Sequence, residues 1–222
     1  MRCKKGIFSW LNSIFFIPLF NFLLIKEVKG LENVPEGNFI LASNHQSYLD
    51  IFIDGGLCVP RRFHFIGRVD SWKGIAGFFI KLYYLMAGVI PLNRVDEESK
   101  KTTIQKAIEV LRKGEILIIY PEGTRSKDGK LQEGKLGIAK ILLKTGAPIL
   151  PVGIKGTFKL MPPHGKLKIK KLVKVNIGKP LFFKEELEKA GGLNENSEEY
   201  SQLLRRITGA IMREINNLIT VL

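Results

Sequence analysis

Cysteine and histidine are scarce in this 222-residue chain, which contains two of the first and three of the second. The two cysteines, Cys3 and Cys58, cannot build a disulfide framework, and this favours a reducing compartment. The histidines occur without Cys-x-x-Cys or His-Glu-x-x-His spacing, so the sequence predicts no metal site and no other cofactor. A Gly-x-Ser-x-Gly nucleophile elbow is also absent, which argues against a serine hydrolase.

Acidic residues are few relative to basic ones: 21 aspartates and glutamates face 35 lysines and arginines, a formal net charge of +14. Such a charge predicts an anionic partner, either a nucleic acid or an anionic membrane surface with phosphorylated substrates. No RNP-like or zinc-finger pattern accompanies the charge. We therefore expect an anionic membrane surface as the partner and no nucleic acid.

Charged residues are missing altogether from residues 7–25, an aromatic-rich apolar run with Pro18 inside it. As a single helix this run would be about 28 Å long, barely a bilayer span. Basic residues flank both ends, so a bent or hairpin insertion into one leaflet is favoured over a full crossing, with a buried core helix as the alternative. The sequence thus predicts a membrane-associated helical segment over residues 1–27 and one further domain over residues 28–222.

Short apolar strands alternate with helices along the rest of the chain. This order predicts an α/β fold with a mixed, largely parallel sheet covered by helices on both faces. Strands are predicted over residues 28–31, 39–43, 62–66, 89–92, 115–120 and 148–154, and helices over residues 48–57, 72–86, 100–113, 136–144 and 198–219.

Two local patterns carry more detailed predictions. The helix over residues 100–113 is expected to begin at Ser99 as its cap and to end at Gly114. Residues 166–175 alternate between lysine and aliphatic side chains, which predicts a further strand with its lysines on one face.

A histidine and a carboxylate stand five positions apart in the turn at residues 44–50, which reads Asn-His-Gln-Ser-Tyr-Leu-Asp. If the turn brings them together, Asp50 can accept a hydrogen bond from Nδ1 of His45 and leave Nε2 as a general base. Alternatively Ser47 caps the following helix, Asp50 completes a capping box, and His45 is a loop residue. The turn alone leaves both interpretations open.

Polar clusters follow two other predicted strands. Arg94 comes after the strand at 89–92, and the sequence Glu-Gly-Thr-Arg at residues 122–125 comes after the strand at 115–120. Arg68 lies just beyond a third strand. Sites in open α/β sheets form at the carboxyl ends of strands, so these clusters are expected to share one edge with the 44–50 turn. Guanidinium groups beside a possible base suit an anionic, phosphorylated substrate.

Four blocks in order resemble the 1-acylglycerol-3-phosphate (lysophosphatidic acid) acyltransferases of the glycerolipid acyltransferase superfamily. They are residues 44–50, residues 88–94 (Gly-Val-Ile-Pro-Leu-Asn-Arg), residues 120–126 (Tyr-Pro-Glu-Gly-Thr-Arg-Ser) and residues 149–154 (Ile-Leu-Pro-Val-Gly-Ile). The resemblance extends roughly from residue 28 to residue 180. The second block departs from the family, which often has Phe-Ile-Asp-Arg where this chain has Pro-Leu-Asn-Arg.

The resemblance implies acyl transfer from a thioester to the sn-2 hydroxyl of lysophosphatidic acid, giving phosphatidic acid. His45 is then the general base, and Asp50 orients its ring. The residues expected to bind substrate are Arg68, Arg94 and Arg125 at the phosphate, with Glu122, Gly123 and Thr124 forming the acceptor pocket. Arg68 stands where relatives often carry a lysine, so the positive charge is kept.

The donor stays open, because acyl-CoA and an acyl carrier protein thioester both carry negative charge that would meet the same basic surface. The expected location is the cytoplasmic face of the cell (inner) membrane, with residues 166–174 and the apolar N-terminus facing anionic lipid. Two alternatives remain: an acyltransferase for another lysophospholipid or a lyso-ornithine lipid, and a non-enzymatic protein that binds anionic lipid.

Overall fold

In the computed structural model, the described residues are 17–68, 88–163 and 165–222. The helix predicted over residues 72–86 and the first part of the apolar N-terminal run lie outside them. The hairpin insertion of that run and the division of the chain at residue 27 therefore stay predictions.

One seven-stranded sheet forms the centre of the described chain. Its strands are β1 (Ile25–Lys29), β2 (Ile40–Ser43), β3 (Phe63–Arg68), β4 (Val89–Leu92), β5 (Ile116–Ile119), β6 (Ile149–Lys155) and β7 (Val173–Ile177). The spatial order is β1-β7-β6-β2-β5-β3-β4. Strands β6, β2, β5, β3 and β4 are mutually parallel, whereas β7 pairs antiparallel with β6 and parallel with β1. The prediction of a mixed, largely parallel sheet is confirmed.

Helices cover both faces of this sheet, as predicted. They are α1 (Ile17–Leu23), α2 (Leu49–Cys58), α3 (Glu97–Arg112), α4 (Gly137–Thr145), α5 (Thr157–Leu160), α6 (Lys184–Gly191) and α7 (Glu198–Thr220). Helices α3, α4, α6 and α7 pack on one face, and α1, α2 and α5 lie on the other. Strands β2, β5 and β6 are nearly continuous apolar runs because both of their faces are buried.

The central strand β2 shows this two-sided burial directly. Ile40 and Ala42 face the cluster formed with α3, α4 and α7, while Leu41 faces the cluster formed with α2. All three side chains are fully buried. Burial of each large aliphatic side chain contributes roughly 1.5–3 kcal/mol to stability, so the strand that carries the 44–50 turn is firmly anchored.

Helix α7 is the long amphipathic helix that the C-terminal pattern predicts. Ser197 begins it, because its hydroxyl accepts a hydrogen bond from the Tyr200 amide. Ile207, Ile211 and Ile215 repeat at helical spacing and are fully buried against the sheet.

The start of α3 differs from the prediction. Its cap is Asp96, whose carboxylate accepts a hydrogen bond from the Glu98 amide at 3.0 Å. Ser99 instead accepts a hydrogen bond from the backbone amide of Asn93 at 2.9 Å, which ties the helix to the end of β4. Gly114 ends the helix as expected, in the left-handed conformation (φ 79°) that glycine adopts without strain.

The strand predicted over residues 166–175 is wrong for most of its length. Only Val173–Ile177 forms a strand, and residues 165–172 make an irregular loop. Leu167 and Ile169 are 51% and 66% exposed, so the alternating aliphatic side chains have no sheet face to pack against. Alternation alone does not supply the partner strand that a strand requires.

Among the described residues, no helix has the length and apolar character needed to cross a bilayer. Helix α1, at the end of the apolar run, is seven residues long. Leu19 and Phe22 on this helix are largely exposed.

Candidate active site

The loops predicted to share one edge of the sheet do so. Strands β2, β3, β4 and β5 run parallel, so the residues that follow them meet at their common carboxyl edge. The 44–50 turn follows β2, and the 120–126 loop follows its neighbour β5. These two loops form the centre of the candidate site.

His45 and Asp50 are in direct contact. His45 Nδ1 lies 2.9 Å from Asp50 Oδ2. The same carboxylate oxygen accepts hydrogen bonds from the backbone amides of Gln46 and Ser47, both at 2.7 Å. Asp50 therefore orients the imidazole and closes the turn before α2.

The contact with Asp50 also determines which ring nitrogen of His45 is available. A carboxylate only accepts hydrogen bonds, so Nδ1 carries the proton and Nε2 of the neutral ring is unprotonated. Among the described residues, Nε2 has no hydrogen-bond partner, and the His45 side chain is 13% exposed. A group of this kind is able to accept a proton from a bound substrate.

The backbone and ring of His45 are fixed from three sides by the 120–126 loop. Its amide donates to Glu122 Oε1 at 2.6 Å, and its carbonyl accepts from the Ser126 amide at 2.8 Å. The Tyr120 ring stacks on the imidazole with centroids 3.9 Å apart and planes 14° from parallel. The imidazole is therefore held in one orientation before any substrate binds.

Asn44 joins the turn to the neighbouring strand β6. Its side-chain oxygen accepts from the Ile154 amide at 2.7 Å, and its side-chain nitrogen donates to the Ile154 carbonyl at 2.9 Å. Asn44 is fully buried. This pair of bonds connects two of the four sequence blocks and fixes the residue immediately before His45.

Glu122 faces the protein interior. One carboxylate oxygen accepts from His45, and the other accepts from the amide and the side chain of Gln132 at 2.9 and 3.2 Å. Burial raises the pKa of Glu122, and its bonds to the His45 and Gln132 amides oppose that rise. These contacts hold the backbone of His45 in place. The predicted contact of Glu122 with the acceptor stays a prediction.

Gly123 and Thr124 form the turn beyond Glu122. Gly123 has φ of 70°, a left-handed conformation that a β-carbon would strain, and its amide donates to the Tyr120 carbonyl at 2.9 Å. Thr124 is exposed. Their predicted contacts with the acceptor stay predictions.

Arg125 stands over the ring of Tyr48, a residue of the 44–50 turn. Its guanidinium carbon lies 3.5 Å from the centroid of the Tyr48 ring. In the described parts of the chain, its N–H groups have no carboxylate or other hydrogen-bond acceptor. The guanidinium can therefore bind a phosphate through several donors at once.

Arg68 and Arg94 lie at the same edge of the sheet but farther from His45. Arg68 ends β3, two strands from β2, and Arg94 follows β4, three strands from β2. At a strand spacing of about 4.8 Å, these positions are about 10 and 14 Å to the side of the turn. Both side chains are exposed. The structure therefore groups Arg125 with His45 and places the other two arginines at the periphery, where their predicted role in phosphate binding stays a prediction.

A second buried carboxyl lies one helical turn behind Asp50. Asp54 is fully buried, and neither of its oxygens has a hydrogen-bond partner among the described residues. Burial raises the pKa of Asp54 well above its usual value, and the negative charge of Asp50 adds to the rise. The buried Tyr120 hydroxyl nearby is also without a partner there, and its pKa is raised well above the usual range by burial and by Asp54. Burial and the neighbouring carboxylate of Asp50 thus both favour the protonated form of Asp54.

Sequence reasoning assigned no function to Tyr48, Asn44 or Tyr120. All three belong to the sequence blocks, but their contacts join segments far apart in the chain. Asn44 and Ile154, for example, are 110 positions apart. Only the blocks themselves signalled these residues.

Comparisons with known proteins identify the family of this chain. The family model described as Acyltransferase matches residues 26–155. A chloroplastic 1-acyl-sn-glycerol-3-phosphate acyltransferase of Brassica napus is 35% identical over 166 residues, which cover 70% of this chain and 45% of the plant protein. The chain thus spans less than half the length of that relative. The 1-acyl-sn-glycerol-3-phosphate acyltransferase of Bacillus subtilis is 31% identical over 160 residues, covering 70% of this chain and 73% of the bacterial protein.

A solved structure shows the same fold. The crystal structure of the 1-acyl-sn-glycerophosphate acyltransferase PlsC from Thermotoga maritima matches with a TM-score of 0.67 and 31% identity, covering 95% of this chain and 79% of that one. With the family match over more than half of its length, the chain belongs to the 1-acyl-sn-glycerol-3-phosphate acyltransferase family of the glycerolipid acyltransferase superfamily.

Proposed function

We propose that the protein transfers a fatty acyl group from a thioester to the sn-2 hydroxyl of lysophosphatidic acid, giving phosphatidic acid and a free thiol. One observation carries the proposal: His45 Nδ1 is bonded to Asp50, and Nε2 is left without a partner among the described residues. Membership of the family favours an enzyme over a protein that only binds anionic lipid.

His45 moves the proton in this reaction. Its Nε2 takes the proton from the acceptor hydroxyl while the hydroxyl oxygen attacks the thioester carbonyl carbon. The tetrahedral intermediate then collapses, the carbon–sulfur bond breaks, and the proton passes from Nε2 to the leaving thiolate. Asp50 keeps the ring in place and stabilises the imidazolium formed between these steps. The substrate supplies the nucleophile, so the scheme needs no acyl-enzyme.

Arg125 binds the phosphate of the acceptor in this scheme. Its position beside the 44–50 turn and its available N–H donors support that assignment. Arg68 and Arg94, on the same edge, extend the positive surface toward the phosphates of the donor or the acceptor. Acyl-CoA and an acyl carrier protein thioester both suit this charge.

A test of the reaction offers purified protein labelled lysophosphatidic acid with each donor in turn. Labelled phosphatidic acid is the expected product with at least one donor. A matched acceptor without phosphate, monoacylglycerol, should be used far less well, because Arg125 then has no anion to bind. Equal use of both acceptors would contradict the phosphate assignment, and preference for another lysophospholipid or a lyso-ornithine lipid would change the substrate class.

We also propose that the protein works at the cytoplasmic face of the cell membrane, against anionic lipid. The lysine loop, residues 165–172, carries four exposed lysines and the exposed Leu167 and Ile169. It lies beside α1, since Lys171 Nζ is 5.3 Å from the centroid of the exposed Phe22 ring. Aliphatic and aromatic side chains among lysines suit the interface of an anionic membrane.

The lysine loop is also connected to the candidate site. Met161, shortly before the loop, accepts a hydrogen bond from the Ser47 hydroxyl at 2.7 Å. A membrane contact here would hold the 44–50 turn near the lipid surface from which the acceptor comes.

Binding to vesicles tests this location. Lys168→Glu combined with Lys170→Glu should weaken binding to phosphatidylglycerol-containing vesicles, at about 1 kcal/mol for each lysine near the surface. The matched control is Lys184→Glu with Lys189→Glu, the same charge change on helix α6 at the opposite face of the sheet. Equal loss of binding in both double variants would show that net charge, and not the lysine loop, determines binding.

A further inference from the structure

We infer that Tyr48 is a positioning residue for the acceptor phosphate, because its ring holds the Arg125 guanidinium at a fixed place relative to His45. The inference rests on the proposed function, in which Arg125 binds that phosphate. The guanidinium carbon lies 3.5 Å from the ring centroid, where the ring face attracts the cation. This side chain has no hydrogen bond or ion pair in the described parts of the chain, so the ring face is the interaction that orients the guanidinium.

The backbone around Tyr48 is itself fixed by the 44–50 turn. The amide of Ser47 donates to Asp50 Oδ2 at 2.7 Å. The Ser47 hydroxyl donates to the Met161 carbonyl at 2.7 Å and accepts from the Leu49 amide at 3.2 Å. Hydrogen bonds therefore hold the residues on both sides of Tyr48, and they fix the backbone position from which its ring extends.

The backbone next to Arg125 is also held by hydrogen bonds. The next residue, Ser126, donates its amide to the His45 carbonyl at 2.8 Å and its hydroxyl to Asp128 at 3.0 Å. The stacking of Arg125 on Tyr48 therefore joins two segments that are each bonded to His45. Tyr48 belongs to the turn held by Asp50, and Arg125 precedes Ser126, which bonds to the His45 carbonyl. The general base and the phosphate-binding group become parts of one rigid unit.

This connection matters because acyl transfer needs the acceptor hydroxyl at Nε2 while Arg125 binds the phosphate of the same molecule. The distance between the two groups must therefore be fixed. An arginine side chain without support would lose its rotational freedom only when the phosphate binds, which weakens binding. A guanidinium already stacked on a ring has lost part of that freedom beforehand. The ring face is sufficient for this, so the Tyr48 hydroxyl is not required.

Tyr48 is 41% exposed, so it belongs to the surface of the site and not to the apolar core. Loss of the ring is therefore expected to change the unfolding temperature little. This separates a positioning role from a role in stability.

Steady-state kinetics of Tyr48→Ala, Tyr48→Phe and Arg125→Ala test the inference, with lysophosphatidic acid as acceptor. Tyr48→Ala should raise the KM for lysophosphatidic acid about three- to tenfold. Its kcat and donor KM should stay within about twofold of the original protein, because only acceptor binding is affected. Tyr48→Phe should match the original protein. The control is Phe182→Ala, which removes another exposed aromatic ring, beside the isolated bridge between Leu181 and the start of β6.

Two further measurements exclude a merely structural effect. Tyr48→Ala should add nothing in the Arg125→Ala background, and it should leave kcat/KM for monoacylglycerol unchanged, since that acceptor has no phosphate. An additive effect in the double variant, or an equal loss with monoacylglycerol, would overturn the inference.

The outcomes also separate this inference from the proposed function. If Arg125→Ala raises the acceptor KM but Tyr48→Ala does not, the role of Tyr48 is wrong and the phosphate assignment stands. If Arg125→Ala leaves the acceptor KM unchanged, both fail.

Discussion

Two histidine–carboxylate pairs lie beside or within the sheet, and they differ in whether the second ring nitrogen of the histidine has a partner. His45 Nδ1 lies 2.9 Å from Asp50, and Nε2 has no partner among the described residues. His64 Nε2 lies 2.7 Å from Glu115, and its Nδ1 lies 2.9 Å from the carbonyl of Gly88. Both nitrogens of His64 are therefore occupied, and neither is available to a substrate.

The two pairs also differ in location. His45 leaves the carboxyl edge of β2, where loops follow four parallel strands. His64 is the second residue of β3, and Glu115 directly precedes β5, so this pair joins two strands near their amino ends. Of the two histidines, only His45 therefore has a ring nitrogen that is able to accept a proton from a substrate. The contact of His64 with Glu115 instead joins β3 to the start of β5.

The largest predicted contrast comes from matched amide substitutions of the two carboxylates. Asp50→Asn should reduce acyl transfer about a hundred- to ten-thousandfold, because the amide carries no negative charge to stabilise the imidazolium and can present its NH2 group to Nδ1 in place of an oxygen. Glu115→Gln should leave turnover close to that of the original protein. Initial rates at saturating substrate measure both. Comparable losses in the two variants would mean that the pairs do not differ in function.

A smaller effect, on stability, is expected at the other histidine. His64→Gln should lower the free energy of unfolding by about 1–2 kcal/mol, because the buried Glu115 carboxylate loses a partner. Its kcat and KM should stay near those of the original protein. Urea unfolding together with the acyl-transfer assay checks this, and a large fall in kcat with unchanged stability would contradict the structural role.

The smallest effect on turnover is expected at Asp54, the second carboxyl of helix α2. Asp50 accepts three hydrogen bonds, whereas Asp54 has no hydrogen-bond partner among the described residues. The pKa of Asp54 is raised in the folded protein, so its contribution to stability is complete below the unfolded pKa of about 3.9. That contribution is lost as the pH rises through the folded pKa. Asn has no proton to lose, so Asp54→Asn should become progressively more stable than the original protein as the pH rises above about 4.

Unfolding of both proteins across a pH series measures this difference. Turnover of Asp54→Asn should stay near that of the original protein, since the amide has nearly the same shape as the carboxyl and Asp54 makes no hydrogen bond to His45. A stability difference that is constant with pH would mean that Asp54 is not held protonated by the fold.

Much of the fold follows from local sequence. The apolar runs of β2, β5 and β6 and the helical spacing in α7 are strong signals, because both faces of the sheet must be covered. The strand order and the reversed direction of β7 depend on pairings between distant segments, and no local pattern encodes those. The lysine loop shows the limit most clearly: its alternation is typical of a strand, but no neighbouring strand is present to pair with it.

The sequence indicated the residue types of the candidate site better than the contacts that hold them in place. The 44–50 turn and the Glu-Gly-Thr-Arg loop indicated a base beside a cation, and the contact of His45 with Asp50 agrees with that geometry. The inward orientation of Glu122 and the stack of Arg125 on Tyr48 were not foreseen, since both join segments about 77 positions apart. Such supports depend on how loops from neighbouring strands meet.

The most direct test compares His45→Ala with His64→Ala in one assay of labelled phosphatidic acid formation, with folding of both confirmed by their unfolding transitions. His45→Ala should lose acyl transfer almost completely, by about a hundredfold or more, while His64→Ala should retain most of it. Near-normal phosphatidic acid formation by folded His45→Ala protein would contradict the assignment of His45 as the general base.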